Sequence, residues 1–228
     1  MARPRRKNLK GLDQFRIIPS RFPPISLFEA LVDPDELDVA YALESMTNDR
    51  IQADVGNLFL LNKQDWVTGP GATVVMAAFT HTGHASRFSD GSYGVYYAGM
   101  DEETAIAETV FHQERRLRET SEAAIELDMR CYTGKIVSPM DDIRGKAYLS
   151  LQQPDLNTWP DCQRFGAERR ADRACGLLYR SARKRGGECI AAFQPKAVTR
   201  PTQSKHLRYC WNGTAIDRVL SVTDICFR

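Results

Sequence analysis

Hydrophobic and polar positions along the chain change period several times, and each change predicts an element. Residues 26–65 read as a helical region. Ser26 is a candidate N-cap ahead of Leu27, Phe28, Leu31 and Val32, and Pro34 opens a second segment with apolar positions Leu37, Val39, Ala40 and Leu43. Gly69-Pro70-Gly71 then marks a turn, and the β-branched, apolar run over 72–79 predicts a buried strand. A second short strand is expected over 94–98. Asp101, Glu102 and Glu103 at one end, with Arg115, Arg116 and Arg118 at the other, frame a helix whose charges complement its dipole. Ile125, Leu127, Met129 and Cys131 alternate with Glu126, Asp128, Arg130 and Tyr132, the period of a half-buried strand. A helix over 161–178, a turn at Gly186-Gly187, and strands over 188–193 and 206–211 complete the pattern.

Short strands and a few helices without a βαβ rhythm give an α+β fold. The 228 residues suffice for one core and a small appendage. Three parts are expected: a basic arm over 1–25, a helical extension over 26–65, and a main domain over 66–228. Arg3, Arg5, Arg6, Lys7 and Lys10 cluster in the arm, ahead of Pro23-Pro24. Such a cluster reads as a solvated arm, or as one that docks on an acidic partner surface or on phosphates.

Composition narrows the classes further. Hydrophobic residues at 43% and charged residues at 26% are ordinary for a globular chain, and a net charge of +2 does not argue for nucleic acid. Arg5-Arg6 is followed by no apolar stretch, and no apolar run of about 18 residues occurs, so a cytoplasmic protein away from membranes is expected. The six cysteines are scattered, contain no C-x-x-C pair, and read as reduced thiols.

Several common chemistries fail on the residues. Gly69-Pro70-Gly71 leads to Val74 where a dinucleotide fingerprint has glycine, and no Walker loop or Gly-x-Ser-x-Gly elbow occurs. His81 and His84 suggest a metal hydrolase only weakly, because Thr-Gly separates them and no Glu accompanies them. No metal is expected. The segment from His84 to Gly99 is dense in Gly, Ser and Tyr, so its backbone can approach a ligand closely. Arg87 opens it, Tyr97 lies near its end, and Glu108 falls on the following helix at the edge of the apolar stripe. Glu108 either serves a site or pairs with His112 on the surface.

Gly-His-Ala-Ser-Arg87-Phe-Ser-Asp-Gly, Val-Tyr-Tyr97-Ala and Glu-Thr-Ala-Ile-Ala-Glu108, in that order, resemble the family named for its Arg, Glu and Ser, the RES family. The expected third motif is supplied by Leu-Tyr-Arg-Ser181-Ala-Arg183-Lys-Arg-Gly-Gly187, with a strand ending in Phe193-Gln-Pro195. The likeness covers roughly residues 66–200. It implies an ADP-ribosyltransferase-like fold, a split β-sheet core flanked by helices, here with the helical extension at its N-terminus. It also implies a toxin restrained by a cognate antitoxin that closes the site. The implied co-substrate is NAD⁺. Glu108 would stabilise the oxocarbenium ion, Tyr97 stack on nicotinamide, Arg87 hold phosphate or ribose oxygens, Ser181 bond the amide or ribose, and Arg183 assist a phosphate. The expected activity is mono-ADP-ribosylation of an acceptor protein. The alternatives are an NAD⁺ glycohydrolase or phosphorylase and a non-catalytic nucleotide- or partner-binding module.

Overall fold

Among the described residues nine strands form one hydrogen-bonded sheet, and its first two come from the segment expected to be an arm. The computed structural model describes residues 3–22, 24–25, 28–29, 36–37, 39–41 and 55–223. Within it β1 is Arg5–Lys7 and β2 is Asp13–Pro19. The basic residues make up the exposed β1, whereas Gln14 and Ile17 of β2 are buried, as are Pro4 and Leu9. Charge at exposed positions is compatible with an edge strand, so residues 3–22 belong to the sheet rather than to a free arm.

The other elements are α1 (Ala72–Thr80), β3 (Tyr96–Gly99), α2 (Glu102–Glu119), β4 (Ile125–Lys135), β5 (Met140–Asp142) and α3 (Trp159–Ala171). They are followed by β6 (Gly176–Arg180), β7 (Glu188–Ala192), β8 (Thr202–Trp211) and β9 (Ile216–Val222). The strand order is β1-β5-β6-β7-β3-β2-β4-β8-β9, antiparallel throughout except for β5 beside β6. At its middle the sheet narrows: β2 and β3 share only the Phe15–Gly99 pair. The split expected of this core is therefore a pinch between two half-sheets. Arg16 spans it, donating from Nη1 to the Tyr97 carbonyl at 2.9 Å while its guanidinium lies 4.4 Å from the Tyr96 ring centre.

Two expectations are corrected. Residues 72–79 form α1, not a strand. The run is buried on several sides, with Ala72 and Met76 packed beside Phe28 and Trp66, and Val75 and Phe79 beside Tyr96 and Ile190. All-round burial erases the helical period. Its N-terminal donors are satisfied from far away, since Glu29 accepts from the Gly71 and Thr73 N–H groups at 2.7 and 2.8 Å. The helix expected over 161–178 ends at Ala171. Arg173 turns the chain at φ 55°, and the apolar Leu177-Leu178 that prolonged the helical pattern belongs to β6. The helical extension expected over 26–65 falls largely outside the described residues. Within it Leu58–Leu60 and Lys63–Asp65 are single 3-10 turns.

The sheet has two differently covered faces. Leu178 and Ile190 point to the side of α1, whereas Leu177, Tyr179, Cys189 and Ala191 join Phe88, Cys162 and Phe165 on the other side. There α2 also packs, through Ala105, on Ile17, Met129, Cys131 and Tyr209. Cys131, Cys162, Cys175, Cys189 and Cys210 are free thiols, as expected, and Cys226 lies outside the described residues. Among the described residues no helix is long and apolar enough to cross a membrane.

Candidate functional site

Helix α2 starts where the sequence places it. Asp101 accepts from the Thr104 N–H at 2.7 Å, capping the first turn. Seven residues on, Glu108 is half-buried on the side of the helix that faces β7. His112 feels the charge of Glu108 but makes no hydrogen bond or ion pair to it among the described residues, and stands against the rings of Phe111 and Trp159 at 5.3 and 6.5 Å. Instead the Ser181 hydroxyl, just past β6, donates to Glu108 Oε1 at 2.6 Å. Ser181 Oγ in turn accepts from the Arg183 and Lys184 N–H groups at 3.0 and 2.9 Å. The serine thus holds its own turn and aims one hydrogen bond at the carboxylate. Lys184 ties the same turn to the start of α2, donating to Asp101 at 3.0 Å and Glu103 at 2.7 Å.

Arg87 and Tyr97 form a second unit. Both neighbours of Arg87 bond the Tyr97 hydroxyl: Ser86 Oγ at 2.9 Å, and the Phe88 N–H, which donates at 3.0 Å. Burial pushes that phenol well above its ordinary value, so it stays protonated at neutral pH. Arg87 itself is buried and donates from Nη1 to the Leu151 and Gln153 carbonyls at 3.1 and 3.0 Å. Among the described residues no carboxylate pairs with it. A buried guanidinium that satisfies only neutral acceptors keeps its charge for an anion. The Tyr97 hydroxyl therefore orders the Arg87 loop, and only its ring is left to meet a ligand. Tyr97→Phe should lower the unfolding free energy by about 1–3 kcal/mol, the cost of an unpaired buried N–H. Urea titration checks this, and an unchanged midpoint would show that Phe88 finds another acceptor.

Residues 64–212 match the RES domain. The chain belongs to the RES-domain family. It is also 31% identical over 215 residues to the uncharacterized protein y4oC of Sinorhizobium fredii (strain NBRC 101917 / NGR234), covering 92% of this chain and 87% of that one. A distant likeness links it to a chain in the crystal structure of the M. tuberculosis MbcT-MbcA toxin-antitoxin complex, with a TM-score of 0.39 and 15% identity over 60% of this chain and 72% of the other.

Within this RES domain the hydrogen bonds place the five expected site residues in two groups on one face. Glu108, Ser181 and Arg183 form one, and Arg87 and Tyr97 the other. Tyr179 and Cys189 of the β6–β7 pair lie between them. The Tyr179 ring is 5.1 Å from that of Phe88, and Cys189 Sγ is 3.9 Å from Glu108 Oε1. Arg183 is not the solvated residue that its basic run allows. Its guanidinium carbon lies 3.3 Å from the Phe111 ring centre, Nη2 donates to the Pro154 carbonyl at 2.9 Å, and Nε is buried without a hydrogen-bond partner among the described residues. Burial lowers its pKa from the ordinary value, against the pull of Glu108. Arg16, Tyr179, Cys189 and Phe111 were missed from the sequence. Cys189 is no candidate nucleophile, because burial first and the Glu108 charge second push its thiol well up. His81 and His84 belong to no group of three or more metal-binding side chains among the described residues.

Proposed function

We propose that this RES domain cleaves the bond between nicotinamide and ribose in NAD⁺, and that the ADP-ribose passes to a side chain of a cellular protein. The observation that carries the reading is the Ser181–Glu108 hydrogen bond of 2.6 Å, on the face that also holds the unpaired charge of Arg87. When the glycosidic bond breaks, its electron pair leaves with nicotinamide, which becomes neutral, and positive charge develops at the ribose C1′. Glu108 supplies a carboxylate that Ser181 holds by one oxygen, leaving Oε2 without a bond among the described residues. A fixed negative charge aimed at that carbon stabilises the oxocarbenium ion. Arg87 suits the diphosphate, and the Tyr97 ring suits nicotinamide. Arg183, with its orphaned Nε, suits a second phosphate or ribose contact. The acceptor then forms a bond to C1′ through a lone pair and gives up a proton.

Such a chain harms its own cell unless restrained, so the proposal includes a toxin with an antitoxin seated over this face. Supporting that seat, Leu149 and Leu156 are exposed on the segment whose Leu151, Gln153 and Pro154 carbonyls hold Arg87 and Arg183. Residues 3–22 favour neither fate of ADP-ribose, because their strands join the sheet rather than offer a separate acceptor surface.

The experiment incubates pure protein with labelled NAD⁺, with and without cell lysate. In a transferase, positioning of the nucleophile supplies much of the acceleration. The expected outcome is slow turnover alone, faster turnover in lysate, and label on one or a few proteins by mass spectrometry. Fast NAD⁺ loss by the pure protein with no labelled protein would favour hydrolysis or phosphorolysis. Binding without any turnover would leave a nucleotide-binding module.

A further inference from the structure

We infer that a cleft at the ends of β1, β5, β6 and β7 is a second binding site, for a small phosphate-bearing anion. The cleft has a volume of about 460 Å³ and is lined by Arg3, Arg5, Arg144, Arg180, Asp142 and Glu188, with Gly145 and Tyr148. Glu108, Ser181, Arg87 and Tyr97 are not among its lining residues. Arg180 and Glu188 face each other across β6 and β7, two positions along from Leu178 and Ile190. They therefore lie on the face covered by α1, opposite the Glu108 site.

The charges in the cleft are not balanced internally. Arg144 takes up both carboxylates: Nε and Nη2 donate to Asp142 at 2.9 and 2.6 Å, and Nη1 donates to Glu188. That pairing with Asp142, then Glu188, holds the Arg144 guanidinium above its ordinary value. Asp142 lies directly opposite Arg5 in the β1–β5 pair, yet its charge is spent on Arg144. Arg5 and Arg180 form no ion pair among the described residues, and Arg3 interacts with a carboxylate only outside the cleft lining, through the charge of Asp141. Nor are Arg3 and Arg5 free to disperse, because Pro4 between them is buried and β1 is paired to β5. Three guanidinium groups are thus held around one concavity.

The chemistry of the lining selects the ligand class. Guanidinium forks match pairs of phosphate oxygens, and a volume of this size lies within the range of about 300–1,000 Å³ typical of small-ligand sites. A docked peptide needs apolar anchors, and the one aromatic residue here, Tyr148, is buried.

The test is calorimetric titration of the full chain with inorganic pyrophosphate, repeated on Arg3→Gln/Arg5→Gln, Arg180→Gln and Glu108→Gln. Thermal midpoints confirm that each variant is folded, and Arg180→Gln alone serves should the double variant fail to fold. Saturable binding is expected, weakened at least about tenfold by the arginine variants through lost charge-assisted bonds, and unchanged in Glu108→Gln. Absence of saturable binding, equal affinity in the arginine variants, or loss in Glu108→Gln would each overturn the inference. So would tighter binding of oligoglutamate than of pyrophosphate at these arginines, which would mark a protein-docking surface. Edge protection of β1 by its charges, the competing explanation, predicts that any pyrophosphate binding is the same in the arginine variants as in the parent.

Discussion

Glu108→Gln should leave the RES domain folded and still able to bind NAD⁺, while turnover falls by about 10²–10³-fold, the usual cost of removing one electrostatic stabiliser. Glutamine has nearly the same shape, and its amide oxygen can still accept from the Ser181 hydroxyl that now reaches Oε1 at 2.6 Å. The Ser181 turn also keeps its N–H bonds from Arg183 and Lys184, so the backbone around the site has no reason to move. What disappears is the negative charge that the proposed reaction sets beside the ribose carbon, where it would matter little when NAD⁺ binds and greatly when the oxocarbenium ion forms. The loss should therefore appear in kcat rather than KM. NAD⁺ consumption by the purified variant is the measurement. Turnover at the parental rate would remove Glu108 from the chemistry, and a collapse of binding with kcat intact would make it a ligand contact only.

How much of this was readable in advance differs from residue to residue, for physical reasons. Helix α2 was legible because its cap and its charged ends are local, and the same period placed Glu108 at the edge of the buried stripe. Strand β4 was legible because one of its faces is wet, so its alternation survives. α1 was not, since Glu29 caps it from more than forty residues upstream and neighbours cover it on several sides. β1 was hidden by its charges, and both β1 and β2 find their partners in strands more than a hundred residues later. The site shows the same division. Periodicity left the partner of Glu108 open between His112 and a site, and the family resemblance implied Ser181 only as a contact to the amide or ribose, not as the donor to Glu108. The ring of Phe111 beneath Arg183, and Cys189 behind Glu108, depend on how β7 and the Ser181 turn meet α2. No local pattern records that meeting.

Gly94→Ala should destabilise the protein by about 3 kcal/mol or more, at the upper end of what overpacking usually costs. A methyl group at residue 94 would lie 2.2 Å from the Ala78 carbonyl oxygen and 2.3 Å from the Phe79 Cα. Both obstacles are backbone atoms in the last turn of α1, so no side-chain rotation can relieve the contact, and either α1 or the approach to β3 must shift. Such a shift would spread. Val75 and Phe79 of α1 pack with Tyr96 and Ala98 of β3, and β3 carries Tyr97, whose hydroxyl holds both neighbours of Arg87. Any variant that remains folded should therefore also lose order around Arg87. Gly145→Ala is the matched control: a methyl group there meets nothing within 4 Å, and its φ of −70° suits any residue. That substitution should change stability by no more than about 0.5 kcal/mol. Denaturant unfolding of the two variants side by side decides the matter, and equal midpoints would mean that α1 and β3 do not approach as closely as their backbones are placed here.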